Sequence, residues 1–238
     1  MADTFRTVCN PAPAEALSLQ RPWLMLGSCF TGNIGSRLRR RMVNVAVNPT
    51  GILFNPLSIA AVVRRALDGK EPEYELHGDL WNSWMLPGEF SSTDRDEALR
   101  LGREAFATLR EALMSASTMI VTFGTAIIYA LARPPYSVVA NCHKRPAAEF
   151  IRDMLPPAEI IRVWGELLSD LRLRRPDLRI IFTVSPVRHL KEGFHANTLS
   201  KATLQLAIAG ILRECPGAEY FPAYELLNDD LRDYRFYA

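Results

Sequence analysis

Short apolar segments alternate with longer amphipathic segments along most of the chain. The apolar segments, several of them rich in β-branched residues, predict strands at residues 23–26, 43–47, 118–123, 136–140 and 178–186. Apolar positions at helical spacing predict helices at residues 30–42, 57–67, about 95–115, 157–173 and 198–213. Residues 218–227 predict a last short strand and one helical turn, whereas residues 70–92 predict an irregular excursion with short strands.

This alternation predicts the fold class. Continuous apolar strands separated by helices are typical of a mostly parallel sheet that is covered on both faces, so we expect a three-layer α/β/α protein. Residues 1–20 are rich in Pro and Ala and predict an N-terminal arm, and residues 21–238 predict a single domain without internal repeats.

Composition narrows the classes of function. The 238 residues carry 28 Lys and Arg against 26 Asp and Glu, and this balance does not favour nucleic acid as a partner. No apolar segment approaches the ~20 residues of a membrane span, and the N-terminus lacks the pattern of a signal peptide, so we expect a cytoplasmic protein without a membrane span. The four cysteines are scattered without zinc-ligand spacing, which predicts free thiols and no metal site.

Small or polar residues follow four of the predicted strands. Gly27, Ser28 and Cys29 follow the first strand, and residues 48–51 follow the second. The third strand is followed by Gly124 and Thr125, and the strand at 178–186 is followed by Arg188 and His189. Because ligands of parallel α/β sheets bind outside the carboxyl ends of the strands, this recurrence predicts one site built from all four ends.

These residue types suit acyl transfer. Ser28 would present a nucleophilic hydroxyl at a strand-to-helix turn, and its N–H would lie near a helix N-terminus, where it can stabilise an oxyanion. Gly51 would supply a second backbone N–H, and Thr125 or Asn48 a side-chain donor. A serine also needs a base within hydrogen-bond reach.

Alternatives remain open at each position. The Gly27–Ser28 pair also fits a simple turn or helix cap, and His189, beside Arg188, also fits a surface histidine. His189 is the candidate base, whereas His143 is a weaker candidate for contact with substrate. Cys29 is the rival nucleophile, although we expect its thiol to be buried as packing.

Seven motifs, taken together and in order, resemble the GSCFA family. They are GSCF (27–30), NPTGILFNP (48–56), VTFGTA (121–126), ANCHK (140–144), TVSPVRHLKEG (183–193), NTLSKATL (197–204) and LRDYRFYA (231–238). That family is similar to the SGNH, or GDSL-like, hydrolases. The resemblance implies a flavodoxin-like three-layer fold and the activity of an esterase, a carbohydrate deacetylase or an acyltransferase, without a metal or other cofactor.

The resemblance also implies roles for individual residues. Ser28 corresponds to the nucleophile, Gly51 to the oxyanion-hole glycine of the second block, and Gly124 to the glycine of the third block. SGNH enzymes have Gly-x-Asn at this third block, whereas this chain has Gly124, Thr125 and Ala126, which leaves Thr125 as the substitute donor.

The late Asp-x-x-His block of SGNH enzymes is expected just after the LRDYRFYA motif, where the sequence ends at Ala238. We therefore predict a domain that lacks its C-terminal end, or a chain without the usual base. The predicted function is a serine esterase or acyltransferase that acts on a small-molecule or carbohydrate acyl ester, with an O-acetylated carbohydrate as one candidate. The alternative is a binding protein of the same fold that lacks the chemistry.

Overall fold

A computed structural model describes residues 16–231. Residues 1–15 of the predicted arm, and all but the first residue of the LRDYRFYA motif, lie outside the described residues. The strands, in chain order, are β1 (Trp23–Gly27), β2 (Val45–Val47), β3 (Glu75–His77), β4 (Leu80–Asn82), β5 (Thr118–Phe123), β6 (Ile127–Leu131), β7 (Val138–Val139), β8 (Phe150–Met154), β9 (Arg179–Val184) and β10 (Ala218–Tyr220).

Two 3-10 turns (Gly88–Phe90 and Ala147–Glu149) and one π-helical turn (Leu226–Asp230) lie in residues 16–231, besides five longer α-helices and one short α-helical segment. The α-helices are α1 (Cys29–Arg40), α2 (Pro56–Leu67), α3 (Arg95–Ser115), α4 (Pro157–Arg174), α5 (Gly193–Glu214) and α6 (Ala223–Glu225). Local sequence explains several ends: Asn55 caps α2 by accepting a hydrogen bond from Ser58 N–H, and Asp94 caps α3 in the same way. None of the helices in residues 16–231 is long and apolar enough to cross a membrane.

The central sheet has five parallel strands in the order β10-β9-β5-β1-β2. Counted within this sheet alone, the order is 2-1-3-4-5 from the opposite edge, which is the flavodoxin-like arrangement. The strand order reverses between β1 and β5, and ligands of such sheets bind at that reversal. The predicted α/β class and the flavodoxin-like topology are confirmed.

Alternate residues of each strand pack on opposite faces of the sheet, as the two-residue period of a strand requires. Leu24 and Leu26 of β1 belong to the larger core, which includes buried side chains of α2, α3, α4 and α5. Trp23 and Met25 belong to a smaller core, against which α1 packs. Helices therefore cover both faces, and the two cores fix α1 and α5 relative to the strand ends.

Two sequence-based assignments differ from the structure. The predicted strand at 136–140 is reduced to β7, which pairs with β6 at the edge of a separate antiparallel sheet of order β7-β6-β8. Residues of β8 are mostly exposed, so no apolar run marks that strand. Helix α5 begins five residues before the predicted start, because Asn197 does not cap it but lies buried inside it.

Candidate active site

The carboxyl ends of β1, β5 and β9 lie side by side. Gly27 pairs with Thr122, and Phe123 pairs with Val184, so the next residues along each strand emerge at the same edge. Ser28, Gly124 and Ser185 therefore border one cavity of about 540 Å³. This cavity lies at the reversal of strand order, where α/β proteins of this topology bind ligands.

The cavity has a polar floor and an apolar wall. The floor comes from the strand ends, and the wall comes from Ile127 and Tyr129 of β6 and Val139 of β7. The small antiparallel sheet thus closes the side of the cavity that the central sheet leaves open. The complete lining is Ser28, Cys29, Phe54, Asn55, Gly124, Thr125, Ile127, Tyr129, Val139, Ala140, Asn141, Cys142, Ser185, Val187, Arg188 and His189. Among the described residues, this lining includes no carboxylate, and Arg188 is its one fully charged side chain.

Ser28 occupies a tight turn between β1 and α1. Gly27 has φ of +141°, and a side chain there would collide with the Thr122 carbonyl oxygen, so only glycine allows β1 to end this close to β5. Ser28 itself has extended backbone and is the N-cap residue of α1, yet its side chain caps none of the helix N–H groups. The Ser28 hydroxyl oxygen is buried without a hydrogen-bond partner among the described residues. The first N–H groups of α1 consequently remain available beside an unengaged hydroxyl.

The segment after β5 is already hydrogen-bonded. Gly124 N–H and Thr125 N–H both donate to Phe54 O, at 2.8 and 3.0 Å. The Thr125 hydroxyl accepts from Ile127 N–H and pairs with the Ser200 hydroxyl, which also accepts from Ala126 N–H. Thr125 borders the cavity, but these bonds hold its hydroxyl in the wall, which does not favour the predicted role of oxyanion donor.

The two residues predicted from the segment after β2 do not reach the cavity lining. The Asn48 side chain turns back to β1, where its Oδ1 accepts a hydrogen bond from Gly27 N–H at 2.9 Å. Gly51 N–H donates to Asn48 O at 2.8 Å, so it closes a turn instead of pointing a free donor at Ser28. Asn48 Nδ2 has no hydrogen-bond partner among the described residues, and Gly51 N–H is engaged in the turn, so the predicted role of both residues as oxyanion donors stays a prediction.

Asn55, from the end of the same motif, borders the cavity instead. Its Oδ1 accepts from Ser58 N–H at 2.8 Å, which identifies the oxygen, and its Nδ2 donates to the Ser58 hydroxyl at 2.9 Å. An amide nitrogen carries two hydrogens, so one remains to be donated. The sequence indicated only that Asn55 belongs to a turn-forming segment. An asparagine that caps a helix cannot be distinguished by sequence from one that also donates a hydrogen bond to a ligand.

His189 also borders the cavity. Its backbone N–H donates to Asn197 Oδ1 at 3.1 Å, and its Nε2 is buried without a hydrogen-bond partner. Burial lowers the pKa of His189, and the nearby Lys201 ammonium lowers it further, against the opposing charge of Glu192. His189 and Ser28 form no direct hydrogen bond, although each has an unpartnered polar atom beside the same cavity.

Arg188 and His143 were also predicted to contact substrate, and only one of them borders the cavity. Arg188 borders the cavity, and its guanidinium lies over the Phe194 ring at 5.7 Å. His143 is not part of the lining: its Nε2 bonds with Ser83 O at 2.9 Å, and its ring packs near Trp84. The expected contact between His143 and substrate is thus replaced by a contact that joins two loops.

The cysteines are free thiols throughout the described residues, which include Cys29, Cys142 and Cys215. Cys29 was expected to be buried as packing, but it is half-buried and borders the cavity beside Ser28. Cys142 also borders it, and burial raises the pKa of that thiol. No group of three or more His, Cys, Asp or Glu side chains in residues 16–231 is arranged to hold a metal ion.

Lys201 is the residue near the site that sequence reasoning missed. It lies on α5, is 2% exposed, and donates from Nζ to Gly124 O and Ser185 O. Burial lowers its pKa to about 8. Its motif, NTLSKATL, was noted in the sequence, but a lysine on a helix normally indicates a solvent-exposed face.

Comparison with known proteins agrees with the motifs. The GSCFA family model matches residues 22–238. The chain belongs to the GSCFA family. No curated protein matches this GSCFA chain. Among solved structures, it is similar to an acetyl xylan esterase from the rumen bacterium Butyrivibrio proteoclasticus, with 12% identity and a TM-score of 0.35. The match covers 88% of this chain and 57% of the esterase chain.

Proposed function

We propose that this protein is a serine-dependent esterase or acyltransferase, with Ser28 as the nucleophile. The observation that carries the proposal is the Ser28 hydroxyl, which is buried at the N-terminus of α1 beside the cavity and has no hydrogen-bond partner among residues 16–231. A hydroxyl engaged in capping would be held by the helix, whereas this one is free to react. The N-terminus of a helix carries a partial positive charge that favours a developing anion.

In the first step, Ser28 Oγ attacks the carbonyl carbon of the acyl ester, and the carbonyl oxygen becomes an oxyanion. The Ser28 and Cys29 N–H groups at the start of α1 and the second hydrogen of Asn55 Nδ2 are the proposed donors to it. Collapse of this intermediate breaks the ester C–O bond and leaves the acyl group on Ser28. Water or an acceptor hydroxyl then takes the acyl group and restores the serine.

His189 is the proposed base for this cycle. It would accept the Ser28 proton and return it to the departing alkoxide, through one water because no direct bond joins the two side chains. Its lowered pKa keeps the imidazole neutral at pH 7, which is the form that accepts a proton.

The substrate proposal is an acyl ester whose acyl group lies on the apolar wall of Ile127, Tyr129 and Val139. An O-acetylated carbohydrate is one such ester, and the similar solved structure is titled an acetyl xylan esterase. Transfer of the acyl group in place of hydrolysis would require that an acceptor hydroxyl binds beside the acylated Ser28 and keeps water away from its ester carbonyl.

The experiment is hydrolysis of p-nitrophenyl acetate by the wild type, Ser28→Ala and Cys29→Ala. We expect Ser28→Ala to lose at least about 10³-fold in kcat, as serine hydrolases do when the nucleophile is removed. Equal rates for wild type and Ser28→Ala would overturn the assignment, and a loss confined to Cys29→Ala would move the role to the thiol.

Binding without chemistry is the second candidate. It is favoured by the same geometry, since no base among the described residues is hydrogen-bonded to Ser28 Oγ. A protein that binds but does not react would retain an ester intact, so calorimetric binding of an acetylated xylo-oligosaccharide, followed by mass spectrometry of the recovered sugar, separates the two functions.

A further inference from the structure

Lys201 is a buried cation without an anionic side-chain partner. Only 2% of its surface is exposed, and its Nζ donates to Gly124 O at 2.6 Å and to Ser185 O at 2.7 Å. Within residues 16–231, no carboxylate forms an ion pair with Lys201, and burial lowers the pKa of its ammonium group to about 8. Transfer of an ammonium group from water to the protein interior costs free energy unless hydrogen bonds or an opposite charge offset it. The burial of Lys201 therefore needs an explanation in terms of what its hydrogen bonds do.

The two carbonyl groups that Lys201 holds belong to the floor of the cavity. Gly124 and Ser185 are the first residues after β5 and β9, and Lys201 therefore links the two strand ends from below. Gly124 lies against the nucleophile: a methyl group built on it would be 3.2 Å from Ser28 Cβ. A shift of the Gly124 peptide would thus change the space around Ser28.

The charge of Lys201 acts on a second residue of the site. It lowers the pKa of His189, in the same direction as burial and Arg152 of β8 and against Glu192. These are the charged groups that face the His189 ring, and Cys29 of α1 is the titratable group that faces Lys201.

We propose that Lys201 is a positioning residue of the active site, which holds Gly124 against Ser28 and places a positive charge near His189. This inference rests on the proposed function, because it acts through the nucleophile and base assigned there. No bond forms or breaks at Lys201; it changes the geometry and the charge that the reacting groups experience.

The test compares Lys201→Met and Lys201→Arg with the wild type as pH profiles of kcat and kcat/KM. We expect Lys201→Met to lower kcat about 10²-fold with little change in KM, as small misplacements of reacting groups do. We also expect the acidic limb of its profile to move to higher pH, because His189 loses a neighbouring positive charge. An acidic limb at the wild-type position would overturn the proposal.

Lys201→Arg keeps the positive charge throughout the pH range of the assay. If Lys201→Met does not fold, Lys201→Arg alone tests whether the charge of Lys201 matters for activity. The wild type should lose activity above about pH 8, where Lys201 becomes neutral. That loss should disappear in Lys201→Arg while the acidic limb stays in place. A loss of the same size and midpoint in both proteins would contradict the role of the charge.

A control is Arg175, which is also buried, at 9% exposed, and donates to two carbonyl oxygens, Leu113 O and Ala116 O, although unlike Lys201 it also pairs with a carboxylate, Asp177. It lies near the amino end of β5, away from the cavity. Arg175→Met should lower the melting temperature and leave kcat unchanged. Equal losses of kcat in Arg175→Met and Lys201→Met would show a purely structural lysine and overturn the proposal.

A second measurement distinguishes an error in this inference from an error in the proposed function. Proton NMR titration of the His189 ring needs no turnover, and it should give a higher pKa in Lys201→Met than in the wild type, with Lys201→Arg close to the wild type. An unchanged His189 pKa in Lys201→Met would overturn this inference, whereas equal activity of Ser28→Ala and wild type would overturn the nucleophile assignment alone.

Discussion

Gly124 lies against Ser28 with no room for a side chain between them. A Cβ atom built on Gly124 would be 3.2 Å from Ser28 Cβ and 3.0 Å from Phe54 O. Neither neighbour yields easily, because Phe54 O accepts two hydrogen bonds and Ser28 is held in the turn before α1. The spacing between the proposed nucleophile and the end of β5 is therefore set by the absence of one methyl group.

Gly124→Ala should consequently impair the active site more than the fold. We expect kcat for p-nitrophenyl acetate to fall about 10²-fold, because the added methyl group displaces Ser28. The free energy of unfolding should fall by about 1–3 kcal/mol, as for other overpacked sites. Gly32→Ala in α1 is the control, since nothing lies within 4 Å of a Cβ there. Unchanged kcat in Gly124→Ala would show that Ser28 tolerates a shift.

Asn55→Asp should separate helix capping from the donation of a hydrogen bond. An aspartate keeps the oxygen that accepts from Ser58 N–H, so α2 remains capped, but it lacks the amide hydrogens. We expect kcat to fall about 10²–10³-fold, the usual effect of removing one oxyanion donor, with a small change in melting temperature. A loss of stability with kcat retained would instead limit Asn55 to its capping role.

Arg188→Gln should alter the choice between charged and neutral substrates. No carboxylate of residues 16–231 lines the cavity, so Arg188 gives the described lining a positive character. With the p-nitrophenyl monoester of succinic acid, we expect KM to rise roughly two- to five-fold, as for an exposed ion pair, and the effect to shrink at high salt. The uncharged p-nitrophenyl butyrate should be unaffected. Equal effects on both esters, or an effect from Arg37→Gln on α1, would contradict this expectation.

His143 should make the protein less stable in acid. Burial lowers the pKa of its imidazole, so the unfolded chain binds a proton more readily than the folded protein. Its contribution is fully present above the ordinary pKa of 6.5 and is lost as pH falls from there through the lower pKa of the folded state. Urea unfolding at pH 7.5 and 5.5 should show a smaller difference between the two pH values for His143→Gln than for wild type.

The control for this measurement is His195→Gln, a change at an exposed position of α5. We expect it to leave the wild-type difference between pH 7.5 and pH 5.5 intact. If His143→Gln also leaves that difference intact, acid sensitivity arises elsewhere in the protein.

The parallel strands and the corner at Ser28 could be predicted from the sequence because their signals are local. Residues 118–123 form an apolar run because both faces of strand β5 are covered. The Gly27–Ser28 pair at the end of the neighbouring strand β1 indicates a turn. Strand β8 carries no such run, because its residues are mostly exposed and pairing with β6 stabilises it, whereas β6 does have an apolar run that did not by itself indicate a separate sheet. Pairing between residues that are distant in sequence leaves little trace in either segment.

The sequence by itself determined which strand ends carry small and polar residues. It also placed Ser28 at the carboxyl edge of a parallel sheet, where such sheets bind their ligands. Only the tertiary structure decided which polar atoms remain free. Gly51 and Thr125 have the right chemistry, but neighbours use their hydrogen bonds, whereas Asn55 keeps one hydrogen beside the cavity and Asn48 Nδ2, outside the lining, has no partner among residues 16–231. Lys201 reaches the same strand ends from a distant helix. Whether a polar atom is engaged depends on all of its neighbours in space, and the order of residues along the chain does not specify these.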